Sequence, residues 1–214
     1  METYHPKLDE NGKKVLIKEP STPTNSNTWY DPKSITSFTP NSSTPNHLNN
    51  VPVNDSKPSE DETYDVKEPY FKPDRTKHTA AGMAVVSGNK VLLTTPTNKF
   101  GHLEYTFPKG TQEQGHSLSQ TAAKEVWEET GIHAIPTHHL GDYHRSTSVN
   151  RMYVGKYIGG NPSKMGWESQ ATHFIPIDQA HKFLHTAGDQ QVLRDLKLHL
   201  SRENAKDSVK RLIK

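Results

Sequence analysis

Apolar positions follow two regimes along the chain, and the change comes near His78. Before it, from Met1 to about Arg75, apolar residues never settle into a helical or strand period. The patches at Val15–Ile17, Trp29–Tyr30 and Tyr70–Phe71 stand apart among Pro, Ser, Thr and Asn. This pattern predicts a long disordered N-terminal segment over residues 1–76, its patches either scattered residues or docking motifs for a protein partner.

After it, Ala80–Val86 and Val91–Leu93 are runs of small and β-branched residues separated by Ser87-Gly88-Asn89-Lys90, which predicts a hairpin. Tyr105–Phe107 reads as a short strand leading into Pro108-Lys109-Gly110. Leu118–Thr130 has helical spacing, with Ser117 placed to cap it, Gln120 to complete a capping box and Gly131 to end it in a left-handed turn. Ile132–Ile135, Leu140–Tyr143, Arg151–Ile158 and Thr172–Ile175 read as further strands. A last helical region carries Ala180, Phe183, Leu184, Val192, Leu193, Leu196 and Leu200, with a break expected near Gly188. Residues 201–214 are strongly charged and read as a tail or a frayed helix extension. The folded domain is expected over residues 77–200.

Composition sharpens this division. Ten of the fifteen prolines precede residue 76, and the mean hydropathy of −0.88 is too low for the whole chain to join one core. Lys and Arg number 26 against 24 for Asp and Glu, which lacks the basic excess of a general nucleic-acid binder. The absence of cysteine excludes disulfides, thiolate nucleophiles and cysteine-ligated zinc. No apolar run has the length of a signal peptide or a membrane span, so a cytoplasmic protein with no membrane contact is expected.

Candidate chemistry lies on the predicted helix. Glu125, Glu128 and Glu129 stand at i, i+3 and i+4 and share an arc of about 100°. Ala123, Val126 and Trp127 form a second face with the same spacing, suited to burial. Carboxylates about 5 Å apart repel unless water or a cation screens them, and hard oxygen donors suit Mg2+ or Mn2+. A solvated helix surface is the alternative reading of the triplet alone.

The surrounding segment, Gly110–Ile132, reads GTQEQGHSLSQTAAKEVWEETGI. It resembles the Nudix box, G-x(5)-E-x(7)-R-E-U-x-E-E-x-G-U, where U is a bulky apolar residue. The spacing matches throughout. Gly110, Glu125, Val126, Glu128, Glu129, Gly131 and Ile132 keep the pattern, whereas His116 and Lys124 replace its first glutamate and its arginine. AAGMAVVSGNKVLL, FPKG and FIPIDQA extend the resemblance over about residues 77–200.

The resemblance implies an α/β/α sandwich around a mixed sheet. It also implies a hydrolase that uses Mg2+ or Mn2+ and a metal-activated water to cleave a diphosphate linkage in a small phosphorylated substrate. Glu125, Glu128 and Glu129 would bind the metal with the backbone near Gly110, Lys124 would orient Glu125, and Glu168 is a further metal-ligand candidate. The water's proton would pass to Glu128, Glu129 or Glu168. His116 and Lys124 cannot form the usual ion pair, and His116 can hold a water, relay a proton or stand as an exposed replacement. The FPKG motif and its flanks look most like the branch with dinucleoside polyphosphate, ADP-ribose and diphosphoinositol polyphosphate hydrolases. Lys109, Arg145, Arg151 and Lys156 are then phosphate-binding candidates, and Tyr143 and Tyr153 can stack on a base. The alternative function is a catalytically weakened module that binds a phosphorylated ligand or a protein partner.

Overall fold

The computed structural model describes residues 2–19, 46–59 and 61–212. Two short hairpins come first. β1 (Thr3–Leu8) pairs with β2 (Lys14–Ile17) across a turn closed by Gly12, and β3 (His47–Leu48) pairs with β4 (Val51–Pro52). The second turn places Asn49 and Asn50 at φ of 50° and 63°, the left-handed region that asparagine tolerates better than most side chains.

The central mixed sheet holds β5 (His78–Ser87), β6 (Lys90–Pro96), β7 (Lys109–Thr111), β8 (Ile132–His144), β9 (Ser148–Gly160) and β10 (Ser169–Pro176). Its order is β10-β6-β5-β9-β8, with β7 added to β5. β5 and β9 run parallel, whereas the other pairs are antiparallel. The predicted hairpin at Ser87–Lys90 is present. Thr106 forms only an isolated bridge to Thr94 in place of a strand over 105–107. The two strands expected at 132–135 and 140–143 are one long strand, β8, with irregularities in its register between them.

Alternation along the strands divides the core into two layers. Ala81, Met83, Val85, Leu92, Tyr153 and Phe174 face α1 (Leu118–Thr130), where Ala122, Ala123 and Val126 cover them. Ala84, Val91, Leu93, Met152, Val154 and Ile175 face α2 (Ala187–Leu212), which contributes Val192, Leu193 and Leu196. The result is the expected α/β/α sandwich. Among the described residues no helix is long and apolar enough to cross a membrane.

The described parts of the first 76 residues are structured, which narrows the expectation of disorder there. Leu48 and Val51 are buried in the α1-side layer, with Val53, Tyr64, Val66 and Phe71 packed against it. His5 reaches the Ser169 carbonyl at 3.0 Å, and Gln170 donates to the Glu19 carbonyl at 2.9 Å. Pieces of two to six residues, held by isolated anchors and hydrogen bonds, leave no period for a sequence pattern to register. The Trp29–Tyr30 patch lies outside the described residues.

The carboxy-terminal helix also departs from expectation. Gly188 lies inside the first turn of α2 and does not break it, because Thr186 caps the helix by accepting from the Asp189 N–H at 3.1 Å. A Cβ at Gly188 would stand 2.1 Å from the Arg145 guanidinium, so the glycine admits that side chain. Phe183 and Leu184 precede the helix, following a short 3-10 turn at Ala180–Lys182. Helix then continues through Leu212, so the charged segment from residue 201 takes the helix-extension alternative of the two expected for it.

Candidate active site

The site is built on α1, whose ends are fixed as the sequence predicts. Ser117 accepts from the Gln120 N–H and the Gln120 side chain accepts in return, so the capping box is complete. At the other end Gly131 adopts φ of 67° and donates to the Trp127 carbonyl. Glu128 and Glu129 thus occupy the last turn, where the helix dipole disfavours negative charge and the turn carries no basic residue.

Around this end, three backbone segments converge. Glu129 Oε2 accepts from the Lys109 N–H at 3.2 Å. The Gly110 backbone lies so close to the Glu125 carboxyl that a Cβ there would come within 2.2 Å of it. The Gly166 N–H donates to the Glu128 carbonyl at 2.5 Å, and the Thr97 N–H and hydroxyl hold the Glu168 and Trp167 carbonyls. These contacts bring Glu168 beside the acids of α1, about 40 residues away in sequence.

The electrostatics agree with crowding. Burial pushes the Glu125 carboxyl up to about 8, reinforced by Glu129, Glu128 and Glu168. Burial likewise pushes Glu129 up to about 8, against the opposing influence of Lys109. Glu168 is raised by burial and then by Glu128. Partly buried carboxyls gathered at a helix C-terminus are costly without a counter-charge, and hard oxygen donors suit a divalent cation. Among the described residues no three His, Asp or Glu side chains already converge as a complete ligand set. The donor chemistry of Glu125, Glu128, Glu129 and Glu168 and the Gly110 cradle fit such an ion.

Other predicted residues separate into two groups. Lys109 lies at the site, its ammonium donating to the Thr106 hydroxyl at 2.6 Å and the Phe107 carbonyl at 3.1 Å. Lys124 lies there too, 3.4 Å from Glu128. Arg151, Tyr153 and Arg145 are engaged inside the fold. Arg151 is 1% exposed and forks onto Asp142 at 2.7 and 2.8 Å, donates to the Pro69 carbonyl and pairs with Glu68. Tyr153 donates to Glu68 at 2.5 Å. Arg145 pairs with Asp189 at 2.8 Å, and Tyr143 donates to Asp195. Lys156 is exposed on β9.

Sequence reasoning missed a cleft beside the acid face. It has a volume of 940 Å³, and its lining includes Lys57, Tyr64, Lys124, Trp127 and Glu128. Trp127, expected in the core with Ala123 and Val126, instead lines this cleft and is partly exposed. The N-terminal segment forms its other wall, which no local signal around α1 announces.

Comparison with known proteins bears on the family and the fold. The chain is 31% identical over 134 residues to a Mycobacterium tuberculosis (strain CDC 1551 / Oshkosh) relative bearing the name mutator protein MutT4. That alignment covers 55% of this chain and 54% of the relative, so the chain spans about half the relative's length. A NUDIX hydrolase from Nitrosomonas europaea superposes with a TM-score of 0.50 at 19% identity, over 57% of this chain and 90% of the other. A C. elegans Ap4A hydrolase binary complex gives a TM-score of 0.47 at 20% identity, over 58% of this chain and 98% of the other. The model of the NUDIX domain matches residues 76–196, more than half of the chain, and on that match the chain belongs to the Nudix family.

Proposed function

We propose that this chain hydrolyses a diphosphate linkage in a nucleoside diphosphate-X type substrate, with Mg2+ or Mn2+ held by Glu125, Glu128 and Glu129. The observation that carries the reading is the crowding of these acids at the C-terminal end of α1, with Glu125 and Glu129 raised to about 8 mainly by burial. An ion bound there would screen the diphosphate oxygens and acidify a water for attack on phosphorus. Glu168 adds a fourth carboxylate beside these acids from the loop before β10. Glu128, exposed at the rim of the cleft, and Glu168 are the better placed to take the water's proton, because the Lys109 amide already occupies Glu129.

Substrate is proposed to lie in the adjoining cleft. A volume of 940 Å³ accommodates a nucleotide-sized ligand, Trp127 and Tyr64 offer aromatic faces, and Lys57 and Lys124 offer positive charge for phosphate. Dinucleoside polyphosphates, ADP-ribose and diphosphoinositol polyphosphates are the classes to test. The purified protein is incubated with each, with Mg2+ or Mn2+, and products are followed by phosphorus NMR. Cleavage that needs the metal supports the proposal. Ligand binding without turnover favours a binding module, and cleavage that persists in EDTA contradicts the metal-dependent mechanism.

A further inference from the structure

Lys124 does not lack an anionic partner, although His116 stands where the box pattern has a glutamate. Its ammonium lies 2.5 Å from Glu113 Oε1 and 3.4 Å from Glu128 Oε1, so one cation bridges the loop after β7 to an acid of α1. His116 Nδ1 approaches the other side of the same carboxylate, 3.6 Å from Glu113 Oε2. We propose that Glu113 is a positioning residue: it supplies the carboxylate that His116 cannot, and through Lys124 it ties the loop to Glu128 on the acid face.

The loop's own bonding supports this role. Gln112 N–H donates to the Thr79 carbonyl at 2.9 Å, fixing the start of the loop to β5. The Gln112 side chain donates to the His116 carbonyl at 2.8 Å, and the His116 N–H donates to the Glu113 carbonyl at 3.2 Å. Glu113 therefore leaves a tightly turned loop that begins two residues after Gly110, whose backbone abuts Glu125. The hydrogen bond from Lys124 also holds the Glu113 carboxyl below the ordinary range.

Glu113 and Lys124 are both solvent-accessible, so their pair contributes little to global stability. Its effect lies in orientation, where partners behind a metal ligand commonly change metal affinity by about tenfold or more. The proximity of His116 to Glu113 further implies that a carboxylate at position 116 can reach the same ammonium. The proposal rests on the metal reading above for its functional consequence and on the ion-pair geometry for the anchoring itself.

The test uses the full chain and three variants: Glu113→Gln, Glu113→Asp, and Glu113→Gln combined with His116→Glu. Amide hydrogen exchange of residues 110–117 is measured without metal, and Mn2+ affinity is measured by electron paramagnetic resonance of the free ion. Glu113→Gln is expected to exchange several-fold faster in the loop and to bind Mn2+ about tenfold more weakly, with an unchanged unfolding temperature. Adding His116→Glu is expected to restore both, and Glu113→Asp to restore them in part. Wild-type exchange in Glu113→Gln, or failure of His116→Glu to restore it, overturns the proposal. A wild-type protein that does not bind Mn2+ refutes the metal reading instead, and the exchange comparison still decides on Glu113.

Discussion

Replacing Glu129 with glutamine stabilises the metal-free protein by an amount that grows with pH. The Glu129 carboxyl is raised from an ordinary 4.5 to about 8, with burial as the largest cause. Between those values the folded state keeps a proton that the unfolded state has lost, so stability falls as pH rises through that window. At 1.36 kcal/mol per unit, the limiting penalty above pH 8 is ~5 kcal/mol. Removing the Glu129 charge also eases the crowding at Glu125, so the substitution is expected to stabilise by ~4 kcal/mol at pH 8 and by under ~1 kcal/mol at pH 5. Glutamine keeps an oxygen to accept from the Lys109 N–H, which isolates the effect of charge. Urea unfolding in EDTA at pH 5, 6, 7 and 8 measures the difference between variant and wild type. A difference that stays constant across this series, or shrinks as pH rises, refutes the reasoning.

Three further outcomes follow from the same geometry. Mn2+ binding at pH 7 releases protons, because Glu125 and Glu129 at about 8 hold them in the free protein; calorimetry in buffers of different ionisation enthalpy that finds no proton release counts against these acids as ligands. Gly110→Ala places a Cβ within 2.2 Å of the Glu125 carboxyl and is expected to lower kcat by ~100-fold while the unfolding temperature changes little; equal losses of activity and folded protein would make the glycine merely structural. Arg151→Ala leaves Asp142 and Glu68 without their guanidinium and is expected to cost ~3–5 kcal/mol of stability in urea unfolding. A stable Arg151→Ala protein with a raised KM would return Arg151 to the substrate site.

The sequence is most legible where a local rule has a periodic or capping signal. α1 runs over Leu118–Thr130 as expected because Ser117, Gln120 and Gly131 determine its ends, and Glu125, Glu128 and Glu129 share a face because spacing alone places them there. Glu168 was legible only through resemblance, since its approach depends on hydrogen bonds from Thr97 and on Gly166 meeting the end of α1. Arg151 and Tyr153 read as ligand-binding positions because their partner Glu68 comes from the N-terminal segment, more than 80 residues away. That segment has too few apolar residues to show a period, yet Leu48 and Val51 are buried in the α1-side layer and Phe71 packs against it. Trp127 was placed in the core by helical spacing, which gives its direction on α1 but not what stands opposite. Glu113 carried no signal because its partner Lys124 is eleven residues away across a loop.

The central claim is that the acid face of α1 runs a metal-dependent hydrolysis. Its most direct test is the rate of diphosphate cleavage by wild type and Glu129→Gln on one substrate that wild type turns over, each with Mn2+ and with EDTA. The account predicts cleavage only by wild type with Mn2+, and a loss of at least ~100-fold in Glu129→Gln despite a fold at least as stable. Equal rates in the variant, or cleavage undiminished by EDTA, would contradict it.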